Sequence, residues 1–448
     1  VEANVEFTRV VIEIPALHRF PLPPLPENAV DSFYSTLSKH PSGMPALSER
    51  LRVEEILSTQ LGDIKATVNE ESSKILGLIL ESINSCDFSQ VETPFPLPLD
   101  TVTETLFRQT REAVEVNSFG TQVAVAYSVK TNPDVRHLEL AHKHGFLAEV
   151  ISQFELRKVL SAGFDPEQIV MNGPGKWWPS VASRGLQLHA IFCDSLEELE
   201  WLICQYNKGV CVSRFLGFRL RPPQFPSRFG IQVGEAKIFR KLISLLRQIP
   251  ADCPVGIHFH FPSSSIGIEG WLQLYESILA WGKAVEAASG VKVRCVDLGG
   301  GWFPDDWFDL LLPQLDSIIN KAVRSLPSLE RVILEPGRAV TQCGMVLLTR
   351  VLDVRRSDSV VKEVVVDASI AEIPTAQEYP HRILRLTPDG KWEILRRGKG
   401  ILLGRLCMED DIIASGIEFP DKIQSGEILV ICDVGAYDRS MSYAFGRG

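Results

Sequence analysis

Several residues in the middle of the chain are of types that do chemistry, and each ends a short apolar run. Lys130, in Ala-Tyr-Ser-Val-Lys130-Thr-Asn-Pro, offers an amine where partial burial would depress its pKa and favour imine formation. Leu298-Gly-Gly-Gly301 lets the backbone approach an anion closely and aim successive N–H groups at it. Glu335-Pro-Gly-Arg338 joins a carboxylate able to keep a heteroaromatic nitrogen protonated to a guanidinium able to face a phosphate. His258 and His260 end another run, and His260 has the shape to lie flat on a ring. Taken singly, each has a bland reading: a loop-starting lysine, a flexible turn, a surface ion pair, a core histidine. Converging on one rim, together with Glu149, Ser152, Asn172, Asp194 and Arg219, they point to a phosphate-bearing cofactor.

The elements that would bring them to one rim are legible in the apolar pattern. Runs at Val123 to Val129, Ala148 to Ser152, Ile169 to Asn172, Ala190 to Asp194, Phe215 to Leu220, Val255 to Phe261, Val293 to Leu298 and Arg331 to Leu334 read as strands. Amphipathic stretches alternate with them, among them Ser195 to Tyr206, Ala236 to Gln248, Trp271 to Ala288 and Trp307 to Leu326. Eight strands alternating with helices predict an α/β fold, a (β/α)8 TIM-like barrel whose chemistry sits at the C-terminal strand ends. Beyond about Cys343 the alternation stops, and β-rich runs follow one another at Met345 to Val354, Glu363 to Val366, Arg382 to Leu386, Gly400 to Leu403 and Ile428 to Cys432. The expected organisation is an N-terminal, partly helical extension over 1–95, a barrel over 96–342 and an all-β domain over 343–448. The extension has a strand-like start (Val5 to Ile14), a Pro-rich run (Phe20 to Pro26) and helical segments from about Ser48 to Ser85. Its early strand is expected to join the β domain.

Composition narrows the class. With 448 residues, 45% of them apolar, the chain has enough material for two domains. A formal net charge of −10 with no long Lys/Arg run argues against nucleic acid or an anionic membrane as partner. Nine scattered cysteines have neither CxxC nor metal-ligand spacing, which predicts no metal site and a reduced, cytoplasmic location. Neither a signal-peptide pattern nor an apolar stretch of membrane-spanning length is expected.

The motifs resemble those of the fold-type III pyridoxal-phosphate decarboxylases, the group that includes ornithine, arginine and diaminopimelate decarboxylases on an alanine-racemase-like barrel. They are Tyr127-Ser-Val-Lys130-Thr-Asn-Pro, Asn172-Gly-Pro-Gly-Lys176, Arg228-Phe-Gly-Ile231, His258-Phe-His260, Asp297-Leu-Gly-Gly-Gly301, Glu335-Pro-Gly-Arg338, Cys407 ahead of Asp411, and Gly435-Ala-Tyr437 followed by Phe445-Gly446. They span about residues 93 to 448 in the family's order. The resemblance implies pyridoxal 5'-phosphate as cofactor, Lys130 forming the internal aldimine, Glu335 pairing with the pyridine nitrogen, and His260 stacking on the ring. Ser263, Gly299, Gly300, Gly301, Arg338 and Tyr437 would hold the phosphate, with Gly337 and Arg219 also at the cofactor. It further implies a head-to-tail homodimer with shared active sites, Cys407 acting in trans as the acid that protonates the quinonoid at its α-carbon. Met408, Glu409 and Asp411 would lie near the substrate, a small-molecule amino acid.

The chain departs from the family pattern in places. Pro262 precedes Ser263 where Gly is usual, removing a backbone donor near the phosphate. Met408 follows the cysteine where ornithine- and diaminopimelate-type enzymes carry an acidic residue, and Val366 to Pro374 lacks the arginine that clamps a distal carboxylate in diaminopimelate enzymes. Three functions stay open at this level: a decarboxylase, an amino-acid racemase on the same barrel, and a catalytically silent regulatory homologue. Cys407 favours the first over the second, and the survival of Lys130, Glu335 and Arg338 weighs against the third.

Overall fold

The computed structural model describes residues 74–446 apart from 85, 87, 89–90, 116–121, 177–185, 211–212, 224–226, 262 and 388. The strand expected at Val5 to Ile14 and most of the helical stretch from Ser48 lie outside the described residues.

Eight parallel strands close a barrel: β2 (Gln122–Ser128), β3 (Leu147–Val150), β4 (Ile169–Met171), β5 (Leu188–Cys193), β6 (Ser213–Arg221), β8 (Val255–His258), β9 (Val293–Asp297) and β10 (Arg331–Leu334). Their order is β5-β4-β3-β2-β10-β9-β8-β6, and β5 pairs with β6 to shut the ring, while the short β7 (Ile231–Gln232) extends β6. Every strand expected from the apolar runs is present. Inward-facing Ala126, Val170, Ala190, Phe192, Phe215, Cys295 and Ile333 fill the interior, so the barrel is a packed core whose polar inward residues are confined to the strand ends. Phe192 and Phe215 are the large members of this set; a Cβ at Gly217 would strike the Phe192 ring, and one at Gly256 would press tightly on it.

Around the barrel run helices that include α2 (Asp100–Glu115), α3 (Val135–Lys143), α4 (Gln153–Ser161), α5 (Leu196–Asn207), α6 (Ala236–Leu246), α7 (Ser263–Ser289) and α8 (Leu315–Ser325). The single helix expected over Trp307 to Leu326 is instead broken. A π turn over Asp306–Leu311 and a 3-10 turn over Leu312–Gln314 precede α8, because Pro313 cannot donate to the helical ladder. Helix α7 starts earlier than the periodicity indicates and is kinked where Gly267 adopts φ +69°.

Helix α4 carries a testable electrostatic detail. Ser152 caps it by accepting from the Glu155 N–H at 3.1 Å, and the buried Glu155 carboxylate reaches back to the Ile151 N–H at 2.8 Å. Burial, reinforced by the charge of Glu149, lifts Glu155 to about 7 against the opposing Ile151 amide and Lys130. A raised carboxyl contributes stability that is full below its unfolded pKa near 4.5 and is lost as pH rises through about 7. Glu155→Gln keeps the acceptor without the charge, so above pH 7 the variant is expected to be more stable by about 1–3 kcal/mol. Denaturant unfolding at pH 5 and pH 8 measures this, and an equal difference at both values would remove the argument.

The C-terminal part is one curled sheet in the order β14-β13-β17-β11-β12-β15-β16. It comprises β11 (Met345–Ser357), β12 (Val360–Val366), β13 (Ile383–Leu386), β14 (Trp392–Ile394), β15 (Arg396–Leu403), β16 (Ile412–Glu418) and β17 (Ile428–Ile431). Along β11, Met345, Leu347 and Val351 enter the inner core, while Val346 and Leu348 face outward under a helix, α1 (Lys74–Asn84). A strand from the N-terminal side joins this sheet, β1 (Phe95–Pro98), antiparallel to β11. Two prolines in four residues are tolerated because β1 is an edge strand.

Candidate active site

The barrel rim brings the candidates together. Lys130 sits in a one-turn helix, Val129–Thr131, directly after β2, and its Nζ lies 2.7 Å from Glu149 Oε2 and 2.8 Å from Ser128 Oγ. The depressed pKa expected of this amine is not what the protein has. Burial does pull it down, but the carboxylates of Glu149 and Glu335, with Tyr437 beside them, together outweigh burial and push it up. Lys130 in the free protein is therefore a firmly held ammonium.

Glu335 follows β10, fully buried, and accepts from the Asn172 side-chain amide at the end of β4. His260 Nδ1 accepts the Gly300 N–H at 3.1 Å and stands 3.4 Å from Glu335 Oε2. With Nδ1 accepting, the proton of a neutral ring is on Nε2. Burial, helped by Lys130 and Arg219, holds the His260 pKa well below its ordinary value, so the ring is neutral. Arg219 anchors this turn by donating from Nη2 to the His260 carbonyl at 2.9 Å and lies over the Phe229 ring.

The glycine loop is shaped by close approach. Gly299 has φ +64°, and a Cβ at Gly300 would run into the Glu335 carbonyl. Gly300→Ala must shift this backbone, and cofactor affinity is expected to fall about tenfold or more. Equilibrium dialysis against the free cofactor checks it, and unchanged affinity would mean that the loop does not form the cradle. Gly337 packs against the lysine turn, since a Cβ there would meet the Thr131 and Ser128 side chains.

Arg338 lies among three aromatic faces, with its Cζ 4.8 Å from the Phe303 ring centroid, 4.7 Å from that of Tyr379 and 5.3 Å from that of Tyr437. Tyr437 comes from the β domain of the same chain. Its N–H donates to the Thr131 carbonyl at 2.7 Å, and Asn132 Nδ2 donates to the Gly435 carbonyl at 2.9 Å. The β domain is thus stitched to the turn that carries Lys130. Phe303 and Tyr379 are additions that motif reading did not supply; only their aromatic character beside an arginine would have hinted at them.

Other candidates fall elsewhere. Cys407, Met408 and Glu409 are exposed on the loop after β15. Asp411 is buried there and accepts from the backbone N–H of Ile370 at 2.9 Å and of Leu406 at 2.7 Å, so it fastens the loop from within rather than facing out beside Met408 and Glu409. Ser263 begins α7, and its side chain lies outside the described residues.

The pocket fits a phosphorylated, ring-bearing aldehyde. Arg338 and Arg219 each keep a buried Nε without a hydrogen-bond partner, as do Oδ1 of Asn172 and Oε1 of Glu149. His258, His260 and Glu335 do bring possible metal-ligating atoms within 4.8 Å of one another. Two fixed cations, Lys130 and Arg219, face these same groups, which repels a dication and suits an anion.

Comparison with known proteins agrees. Residues 104–342 match the family model described as pyridoxal-dependent decarboxylase, pyridoxal binding domain. The diaminopimelate decarboxylase of Methanocaldococcus jannaschii is 28% identical over 346 residues, covering 72% of this chain and 76% of that one. That of Helicobacter pylori strain J99 is 26% identical over 378 residues, covering 79% and 88%. Among solved structures, the M. jannaschii diaminopimelate decarboxylase superposes with TM-score 0.66 at 21% identity, covering 80% of this chain and 85% of that one. The Paramecium bursaria Chlorella virus arginine decarboxylase bound to agmatine superposes with TM-score 0.62 at 22% identity, covering 80% and 95%. With more than half of its length matched by the family model and its barrel rim built for the cofactor, the chain belongs to the pyridoxal-phosphate-dependent amino-acid decarboxylases.

Proposed function

We propose that this enzyme removes the α-carboxylate of a free amino acid whose side chain does not end in a second carboxylate, at a site completed by a second copy of the chain. The observation that carries the reading is the convergence of Lys130, Glu335, the glycine loop and Arg338 on one barrel mouth. When bound, pyridoxal phosphate supplies the electron sink that makes loss of carbon dioxide from an α-carbon feasible. Lys130 is the amine that would hold its aldehyde, and Glu335 would keep the proton on the pyridine nitrogen. The neutral ring of His260 would lie against the cofactor ring, and the Gly299 to Gly301 loop, Gly337, Arg338, Tyr437 and Ser263 would receive the phosphate. Cys407 Sγ would deliver a proton to the substrate's α-carbon once carbon dioxide has left.

Cys407 is exposed, and exposed apolar side chains share its domain: Met408, Met441 and Phe445. On the barrel, Ile151 and Phe154 are exposed beyond the end of β3. This supports a head-to-tail homodimer in which the loop of one subunit closes the rim of the other. Among the described residues no two cysteines are joined by a disulfide, which favours a reducing compartment such as the cytoplasm. Among the described residues no helix is long and apolar enough to cross a membrane.

The substrate limit rests on the segment from Val366 to Pro374. It contains no cation, and its Glu372 is already paired with Arg405 at 2.7 Å. Several relatives bear the name diaminopimelate decarboxylase, so the test is direct. Purified protein given the cofactor is to be challenged with a panel of amino acids, and carbon dioxide release measured. Release is expected from a substrate without a distal carboxylate, with kcat/KM for diaminopimelate at least about a hundredfold lower. Efficient turnover of diaminopimelate would overturn the substrate class, and racemisation without gas release the reaction. For the shared site, mixing Lys130→Ala with Cys407→Ala protein is expected to restore about a quarter of wild-type activity, because half of the sites in each mixed dimer are intact.

A further inference from the structure

Two of the three rings around Arg338 come from segments that are fastened to each other by buried groups the proposed mechanism does not use. Tyr379 follows a short 3-10 turn, Pro374–Gln377, and Tyr437 immediately precedes a one-turn helix, Asp438–Met441. Thr375, fully buried, joins the two. Its N–H and its hydroxyl both donate to Oδ1 of Asp438, at 3.0 and 2.5 Å, while its carbonyl accepts the Tyr379 N–H at 3.1 Å. One residue thus grips the neighbour of Tyr437 with its donors and the backbone of Tyr379 with its acceptor. Asp438 is buried too, and its Oδ2 receives no donor, so the hydrogen bonds of this carboxyl all come from Thr375. Two further bonds close the seam. The Tyr379 hydroxyl donates to the Ala436 carbonyl at 3.2 Å, and His381 Nδ1 donates to the Cys432 carbonyl at 2.9 Å. The His381 ring packs 5.1 Å from that of Tyr379, and its Nε2 stands 3.3 Å from Thr375 Oγ1, farther from the hydroxyl than Asp438 is.

We propose that Thr375 and Asp438 are positioning residues: a buried clasp that sets Tyr379 and Tyr437 where both rings face Arg338, and so aims the guanidinium at the phosphate. Arg338 needs such help. Its Nε has no hydrogen-bond partner, and its surroundings are ring faces, whose attraction for a cation has little direction of its own. The direction must come from where the rings are held. Tyr437 also sits at φ +67°, a left-handed conformation that is costly for an aromatic residue and persists only when its neighbours enforce it. On one side its N–H is tied to the Thr131 carbonyl; on the other, Asp438 is tied to Thr375. Burying Thr375 and Asp438 without these bonds would cost each its desolvation, so the two segments lock in a single register.

The consequence for phosphate rests on the reading of the pocket as a cofactor site; the clasp does not. The experiment therefore begins with the apoprotein. With 15N-labelled arginine, the Arg338 guanidinium resonances, assigned by their loss in Arg338→Ala, are expected at positions shifted by the currents of the surrounding rings. Thr375→Val, which keeps the shape and removes the hydroxyl, and Asp438→Ala, which removes the acceptor, should move them toward those of exposed arginines. Thr375→Ser, which keeps the hydroxyl, should leave them in place. Pyridoxine 5'-phosphate and pyridoxine, neither of which carries an aldehyde for Lys130, then isolate the phosphate contribution. The ratio of their affinities is expected to fall at least about fivefold in Thr375→Val and Asp438→Ala and to stay within about twofold of wild type in Thr375→Ser. If Asp438→Ala does not fold, the two Thr375 variants decide. Unmoved resonances in Thr375→Val, or an equal loss for both ligands, would overturn the positioning role, as would Thr375→Ser proving as damaging as Thr375→Val. A phosphate preference that survives Arg338→Ala, with the resonances moving as described, would instead overturn the phosphate reading of the pocket and leave the clasp standing.

Discussion

Lys130→Ala is expected to leave a folded protein that still binds pyridoxal phosphate but can no longer be fixed to it by borohydride, with kcat lowered at least about a thousandfold, ~4 kcal/mol in the barrier. The geometry explains both halves. Binding persists because the glycine loop, Arg338 and Glu335 do not depend on the lysine for their positions: Glu335 is held by Asn172, and Arg338 by Phe303, Tyr379 and Tyr437. Covalent capture is lost because no other described lysine stands on this rim; Lys176, at 6% exposure, is occupied by Glu198 at 3.1 Å. The ammonium of Lys130 must give up a proton before it can act as a nucleophile, and the acceptor in contact is Glu149 Oε2 at 2.7 Å. Removing the lysine leaves Glu149 buried without the cation it is paired with at 2.7 Å. Intact mass after borohydride, the absorption spectrum and carbon dioxide release are the three measurements. A variant that keeps wild-type turnover would require another nucleophile and would end the assignment.

Much of this rim is readable without coordinates because a parallel barrel forces a simple rule: inward residues in mid-strand must be apolar, and polar ones survive only where the strand meets the mouth. Lys130, His260, the triple glycine, Glu335 and Arg338 all obey it. What the pattern hides depends on contacts far apart in sequence. Phe303, Tyr379 and Tyr437 meet around Arg338 from three separate segments, and no spacing along the chain announces that. Asp297 is visible as a charge at a strand end, but that its carboxylate holds the Gly299 N–H at 2.9 Å is not. The upward push on Lys130 is hidden for the same reason, since burial alone argues for the opposite sign and only the placement of Glu149, Tyr437 and Glu335 reverses it. In the β domain, β14 is three residues long, and β16 carries Gly416 at φ +69°, which interrupts a regular alternation. Strand β1 escapes because Phe95-Pro-Leu-Pro98 looks like a linker, and it is a strand only because β11 extends far enough to offer it an edge.

That junction between β domain and barrel mouth is where a single substitution should cost the most stability. Arg382, just before β13, is buried beside Asp433, donating from Nε to Oδ2 at 2.7 Å and from Nη2 to Oδ1, with Nη2 also 3.4 Å from Cys343 Sγ. Burial alone would raise the Asp433 pKa, but Arg382 outweighs it and holds the carboxyl below its ordinary value of 3.8. The pair's contribution is therefore present at neutral pH and lost only as pH falls through that lowered value. Arg382→Ala strands a buried carboxylate, and a loss of about 3–5 kcal/mol in unfolding free energy is expected. Asp433 sits in the left-handed region at φ +66° and begins the loop that runs through Gly435 to Tyr437, so releasing it also slackens the stitches to Thr131 and Asn132. Weaker cofactor binding should accompany the lost stability. Arg382→Met combined with Asp433→Leu, which removes both charges and keeps apolar volume, should recover most of the stability but not the loop, because nothing then holds residue 433 at positive φ. A double-mutant cycle in denaturant midpoint, run beside cofactor titration, separates the two effects. If the double variant regained cofactor affinity as fully as stability, the pair would matter for packing only, and its link to the site would fail.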